Sequence, residues 1–457
     1  MTAPGLSRHS SWQALAALCV GLFMTLLDQS LVAVALPRIR EDLDASLNQV
    51  VWVSAVYLLT FAVPLLVTGR LGDRFGQQRV YLVGMAVFTT AAFACAFAPT
   101  IEWLIALRAL QGLGGSLINP QPLSIITRIF PRERRGTAMG VWSAVAGSTG
   151  LFGPVIGGLL VGTVGWRAVF FFYVPLGLIS LVMVARFVPR LPRMAARIDL
   201  VSALVSLIAV LGVVFALQQG PEFDWAPWIW GVLALGALAF GGFVRLQRRI
   251  GADALVPTAL FAHHNFRLGI IAVSTLGFAV YSVNLPIMLY LQQGAGLSAQ
   301  VAGLMLVPMG ALSVVLAPFA GRLTDRLAPG LISRAGFLLL ITSMTLFGLL
   351  MLIDAPVPAF LAPVTLLGAA NALAWSPNSA ITMRDLPASL AGAGSGVYNT
   401  SRQVGAVLGA AATGAVMQMG EGTVSFGAAV GTAMFVPAAV LLIGLAAVSR
   451  FRADRPG

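Results

Sequence analysis

Lysine is missing from this 457-residue chain, whose 28 basic residues are all arginine. Without lysine there is no Walker-type G-x-x-x-x-G-K-[ST] loop and no Schiff-base amine. ATP-driven work of that kind, pyridoxal-phosphate chemistry and retinal binding are therefore excluded. Charge of either sign is scarce: 10% of residues are Asp, Glu, Lys or Arg, against about 25% in a soluble protein. A water-facing surface for a chain this long cannot be built from so few charges, which excludes a soluble enzyme. Cysteine is limited to Cys19 and Cys95, both in apolar runs, where a free thiol behaves as a small hydrophobe. No C-x-x-C and no His/Cys cluster occurs, so no metal site is expected. His9, His263 and His264 fall in polar connections and read as solvated.

Apolar residues fill the space that charge leaves. They make up 58% of the chain, and mean hydropathy is +0.90. A helix crossing ~30 Å of hydrocarbon needs about 20 apolar residues. Fourteen stretches qualify: 12–36, 50–69, 79–99, 101–123, 138–163, 168–188, 199–218, 227–244, 267–291, 298–320, 334–354, 358–380, 396–418 and 426–449. The runs are unbroken, unlike outer-membrane strands, which alternate over about ten residues. The expectation is an all-α integral membrane protein with 14 transmembrane helices.

Arginine sets the orientation. With the N-terminus in the cytoplasm, inner connections and tails carry 23 arginines and outer connections carry 3, namely Arg38, Arg40 and Arg167. Arg108 and Arg402 fall inside spans. The net charge of +12 is thus a topology signal rather than a nucleic-acid patch. Both termini are expected to be cytoplasmic in a cell inner membrane. The first apolar run ends in an A-x-A triplet, Ala33 to Ala35. It is far longer than the roughly 7–15-residue core of a cleaved leader, so it is read as a retained first span.

The segment GRLGDRFG at 69–76 recurs as GRLTDRL at 321–327, an offset of 252 residues. Each copy follows the second span of a six-span set. Two six-helix bundles, at 1–190 and 251–457, separated by a 191–250 linker with two extra spans, give this spacing. Secondary transporters are commonly built from such repeats, with the substrate site between the halves near the bilayer midplane.

Six motifs occur in order: LDQSLVAVALP (27–37), GRLGDRFGQQR (69–79), LIALRALQGLGGS (104–116), GSTGLFGPVIGG (147–158), WRAVFFFYVPLG (166–177) and SGVYNTSRQVGAVLGAA (395–411). Together they resemble the major facilitator superfamily, in its fourteen-span drug:proton antiporter branch of the multidrug efflux type. The resemblance implies a pseudo-two-fold pair of bundles and a proton-coupled secondary active transporter. It would export small amphipathic, drug-like compounds in exchange for protons by alternating access. A lipid or glycolipid exporter, or an importer of a specific nutrient, is the alternative on the same fold. The expected partners are a small-molecule substrate, protons and the lipid bilayer, with no nucleic acid and no nucleotide. No cofactor is expected beyond the proton as coupling ion, and the expected state is a monomer. Asparagines usual in the branch are replaced by Ala33 and Tyr173, and basic residues of the loop motif by Gln77 and Gln78.

Asp28 is the only acidic residue expected deep in a span. An unpaired charge there costs about 2.5–3.5 kcal/mol or more, so it marks a functional site. Asp28 lies ~12 Å below the outer end of the first span and Arg108 ~9 Å below that of the fourth, at 1.5 Å per residue. Matching depths let the two face each other. Burial favours the protonated acid and a nearby guanidinium favours the anion. A group under both influences switches when solvent access or the arginine's distance changes. Asp28 is therefore expected to accept the proton and Arg108 to modulate it, and the resemblance links the matching pair to proton coupling.

Gly150, Gly153, Gly157 and Gly158 are expected to admit a neighbouring backbone on the fifth span. Pro154 is expected to bend it, giving a dry contact between the bundles. Gly69, Asp73, Arg74 and Gly76 form a candidate gating loop, with Asp73 at a helix terminus, stabilising a helix N-terminus, and Asp325 as its counterpart. Spans that face the centre in the superfamily offer Tyr57, Gln111, Tyr281, Asn284, Asn371, Trp375 and Asn399 as cavity groups. Arg402 either meets polar groups near the cavity or snorkels to the surface.

Overall fold

The computed structural model describes residues 8–191, 199–251, 254–326, 329–387 and 390–452, and among the described residues there is no strand. The first half contains α1 (Arg8–Asp42), α2 (Leu47–Ala62), α3 (Leu65–Phe75), α4 (Gln77–Cys95), α5 (Ile101–Ile118), α6 (Gln121–Ile129), α7 (Arg132–Thr163) and α8 (Arg167–Phe187). Next come α9 (Leu200–Gln219) and α10 (Pro227–Ile250). The second half contains α11 (His264–Ser282), α12 (Asn284–Leu289), α13 (Ala299–Met305), α14 (Val307–Arg326), α15 (Pro329–Leu352), α16 (Leu361–Arg384), α17 (Ala391–Gly420), α18 (Phe426–Ala433) and α19 (Phe435–Val448).

Every apolar stretch is helical, but five are interrupted. The breaks after α2, α5, α11, α13 and α18 each come two to four residues before a proline, at Pro64, Pro120, Pro286, Pro308 and Pro437. Proline removes an N–H from the helical ladder and crowds the carbonyl four residues back. It does not always break the helix, since Pro37, Pro154, Pro175 and Pro377 sit inside continuous ones. Among the described residues, eleven helices are long and apolar enough to cross a membrane, and Leu47–Ala62 and Ser148–Thr163 are shorter apolar helices. α17 is 30 residues long yet carries Asn399, Arg402, Gln403 and Gln418. Large apolar side chains such as Val182, Leu238 and Leu338 stand exposed on the outside of the molecule. An apolar exterior on this scale is what lipid requires, so the chain is a multi-pass membrane protein.

Helices within each half pack on one another: α1 on α7 and α8, α4 on α5 and α8, α11 on α17 and α19, α15 on α16. The halves meet along α2 with α17, α7 with α13 and α14, and α1 with α12. α9 lies against α2 and α17, and α10 packs on α9. The α7–α13 junction is tight enough to demand glycine. A Cβ on Gly303 would stand 2.2 Å from the Pro154 carbonyl oxygen, and one on Gly158 would stand 2.7 Å from that of Ala299.

The end of the molecule carrying the α1–α2 turn is laced across the halves. Arg40 pairs with Glu421. Gln292 donates to the Val34 carbonyl at 3.0 Å. Asn48 is the hub of a polar knot: its amide donates to Gln219 at 2.6 Å and Glu222 at 3.2 Å, and its oxygen accepts from Gln218 at 3.0 Å and Gln418 at 3.3 Å. α9 thus takes part in closing this end.

Candidate functional site

Asp28 and Arg108 are the only charged side chains in the buried class among the described residues, at 0% and 1% exposure. α1 carries the acid and α5 the base. Arg108 Nη1 lies 2.8 Å from Asp28 Oδ2 and donates to Oδ1 at 2.9 Å. Gln111, one turn further along α5, donates to the same Oδ1 at 3.0 Å and accepts from Arg108 Nη1 at 2.8 Å. Arg108 Nε donates to the Val53 carbonyl of α2 at 3.2 Å. The guanidinium carbon stands 4.1 Å from the centre of the Tyr57 ring, within cation–π range. From α8, the buried Tyr173 hydroxyl faces the carboxylate. Four helices therefore converge on one ion pair. A buried pair keeps its charges when hydrogen bonds fill the remaining positions. Gln111 and the Val53 carbonyl fill some of them here, while Asp28 Oδ2 has only the Arg108 charge beside it and, like the Tyr173 hydroxyl, no hydrogen bond.

Two cavities lie between the halves. The smaller, about 40 Å³, is lined by Arg108 and Tyr57 on one side and by Tyr281 and Asn284 on the other. Its wall is mostly apolar, but Gln29, Tyr57, Arg108, Tyr281 and Asn284 put polar groups on it, and it is large enough for water. The larger, about 370 Å³, is bounded by α1, α7, α11, α12, α14, α16 and α17, with Asn371, Trp375 and Arg402 in its wall. Gln29, Ala33, Tyr281 and Asn284 line both, so the cavities adjoin.

The other residues singled out in the sequence are distributed as follows. Gln111 belongs to the ion-pair cluster rather than to a cavity wall. Asn399 lines neither cavity and donates to the Ser395 carbonyl at 3.0 Å. Gly153 packs on Ser30, Gly157 on Leu31 and Val34, and Gly158 on Ala299, whereas Gly150 meets nothing within 4 Å and opens onto the larger cavity. Pro154 lies within α7 without ending it. Asp73 is in the last turn of α3 and not at a helix N-terminus, because α3 continues to Phe75 before Gly76, at φ +100°, turns the chain into α4. The side chains of Asp73 and Asp325 lie outside the described residues. Gly69 lies in α3, 3.8 Å from Pro120 by its missing Cβ, and Arg74 is exposed beside Phe75. Arg402 turns inward to the cavity and does not snorkel: Nη1 donates to the Tyr281 hydroxyl at 3.4 Å, and Trp375 lies 5.9 Å away.

Sequence reasoning missed two members of the cluster. The Val53 carbonyl has no sequence signal, because any residue supplies one. Tyr173 had a signal, since it stands where the resembled branch has asparagine, but nothing placed that position against Asp28.

A family model described as Major Facilitator Superfamily matches residues 18–410. An uncharacterized MFS-type transporter of Mycobacterium tuberculosis is 42% identical over 90% of this chain and 71% of its own length. The tetracenomycin C resistance and export protein of Streptomyces glaucescens is 35% identical over 91% of this chain and 78% of its own. Among solved structures, a D-xylose–proton symporter superposes with a TM-score of 0.71 at 12% identity, covering 96% of this chain and 97% of that one. That last likeness concerns the fold alone.

Proposed function

This chain belongs to the Major Facilitator Superfamily, and on that premise we propose that it is a proton-coupled exporter of small amphipathic, drug-like compounds working by alternating access. The observation that carries the reading is the buried Asp28–Arg108 pair set beside a cavity between the two halves. Asp28 takes the proton. When it is neutral, Arg108 loses its counter-charge and keeps only the Val53 carbonyl, Gln111 and the Tyr57 face. The cluster then has a reason to rearrange, and α1, α2, α5 and α8 all carry parts of it. Water in the smaller cavity connects the pair to the larger one, where cargo sits. Drug export is supported by the relative named for tetracenomycin C resistance and export.

The same reading has the chain cross the bilayer fourteen times. Two six-helix bundles, at 1–190 and 251–457, flank two inserted helices in 191–250. Both termini are cytoplasmic and the unit is a monomer. The laced α1–α2 end is then the outer face, held closed. The tight α7–α13 seam, with Gly158 and Gly303, serves as the dry contact that blocks leak. Gly69, Asp73, Arg74 and Gly76, with Asp325, are the inner gating elements.

The test is proton counterflow in proteoliposomes. With an acidic interior imposed, adding tetracenomycin C outside wild-type proteoliposomes is expected to dissipate the pH gradient, because each cargo entering is exchanged for a proton leaving. Asp28→Asn is expected to lose that response by tenfold or more while still folding. An Asp28→Asn protein that moves protons against cargo as well as wild type would reject the coupling role.

A further inference from the structure

We infer that the cargo is an anionic aromatic compound, held by Arg402 against Trp375. The inference rests on the exporter reading and narrows it to a substrate class. Among the described residues lining the larger cavity, Arg402 is the one charged side chain. No carboxylate pairs with it among the described residues: the nearest acid in the transport path, Asp28, is engaged by Arg108 and Gln111 and does not line this cavity. Its Nε is buried without a hydrogen-bond partner, and the only bond drawn from Nη1 is a long one, 3.4 Å, to the Tyr281 hydroxyl. A guanidinium presents five donors in a planar fork that matches a carboxylate, sulfonate or phenolate edge. Here most of that fork is unclaimed, and the side chain lines the larger cavity.

The backbone beneath Arg402 is fixed. A Cβ on Gly277 would stand 2.0 Å from the Arg402 carbonyl oxygen, so α11 and α17 are in direct contact at this point. Trp375 stands 5.9 Å from the guanidinium and its indole N–H donates to Asn371 at 3.3 Å, which orients the ring. Met288 and Met309 complete an adaptable apolar wall. A flat aromatic body fits among Trp375, Tyr281 and the methionines, with its anionic edge on Arg402. A lipophilic cation would meet an uncompensated positive charge at the same place.

The experiment uses an isosteric set: 2-naphthoate, 2-naphthamide and 2-naphthylmethylammonium, titrated calorimetrically into the purified full-length protein. The naphthoate is expected to bind about tenfold or more tighter than the amide, and the ammonium weakest, as a hydrogen-bonded charge pair requires. Arg402→Gln is expected to remove the naphthoate advantage while leaving the amide within twofold, and Arg402→Lys to restore part of it. The unchanged amide affinity guards against a misfolded variant. Equal or tighter binding of the ammonium, or a naphthoate affinity indifferent to Arg402→Gln, overturns the inference. Proton release on binding separates this result from the parent reading. An ammonium that binds and releases protons through Asp28 sinks the anion assignment and leaves the exporter standing. A naphthoate that binds through Arg402 with no proton linkage does the reverse.

Discussion

Asp28 and Arg108 are bound to each other by what each lacks elsewhere. Asp28 receives Arg108 and Gln111 and faces Tyr173; Arg108 spends its remaining reach on the Val53 carbonyl and the Tyr57 ring. Deleting one partner leaves a charge buried without compensation, which costs about 3–5 kcal/mol. Arginine cannot shed its proton, whereas an acid can take one up. Asp28→Leu is therefore expected to lower the melting temperature of detergent-purified protein more than Arg108→Met does. The double variant is expected to recover most of the loss, and thermal melts of the three variants check this. The pairing was readable from two charges at matching depth in oil. Tyr173 was not, because residue type alone does not reveal which way a helix turns its side chain. Gln111 was assigned to the cavity for the same reason: one turn from Arg108 on the same helix face, it serves the ion pair instead.

Helices were legible as apolar stretches but not as broken rods. A hydropathy window averages across a proline, so the interruptions after α2, α5, α11, α13 and α18 leave no trace in it. The distinction between a proline that breaks and one that does not, such as Pro154, depends on the neighbours that support the freed backbone. Two predictions belong at this scale. Gly303→Ala would push α13 off the Pro154 carbonyl, and overpacking of this kind costs about 1–3 kcal/mol. It is expected to raise cargo-independent proton leak in proteoliposomes. Asn48→Leu would strip the hub from Gln218, Gln219, Glu222 and Gln418. It is expected to populate a state open at the α1–α2 end, read as faster thiol labelling of a cysteine placed at Thr413, which in this structure is buried and lines the smaller cavity. α9 entered the sequence reading only as an insert. Its part in the closed end comes from Gln218 and Gln219, polar residues at a helix end that look like an ordinary membrane boundary until Asn48 is brought to them.

Among the described residues, one acid is buried, in the first half of the chain, and one arginine without an ion pair lines the larger cavity. The segment at 69–76 recurs in sequence at 321–327, and its described residues lie toward the ends of α3 and α14. How the halves close on each other was not legible, because those contacts join residues hundreds of positions apart. If Asp28 is the one proton carrier, as proposed, it sets the charge moved per cycle. A neutral cargo leaving against one proton carries one positive charge inward, and the anionic cargo inferred above carries two. A membrane potential negative inside is expected to accelerate export of either, measured as cargo-dependent current on a supported membrane. Under all of this lies the claim that Asp28 gains and loses a proton during transport. Infrared difference spectroscopy with and without bound cargo tests it most directly. The account predicts a carboxylic-acid C=O band that changes on cargo binding and is missing from Asp28→Asn, whereas an Asp28 that stays a carboxylate with and without cargo across the pH range of transport would contradict it.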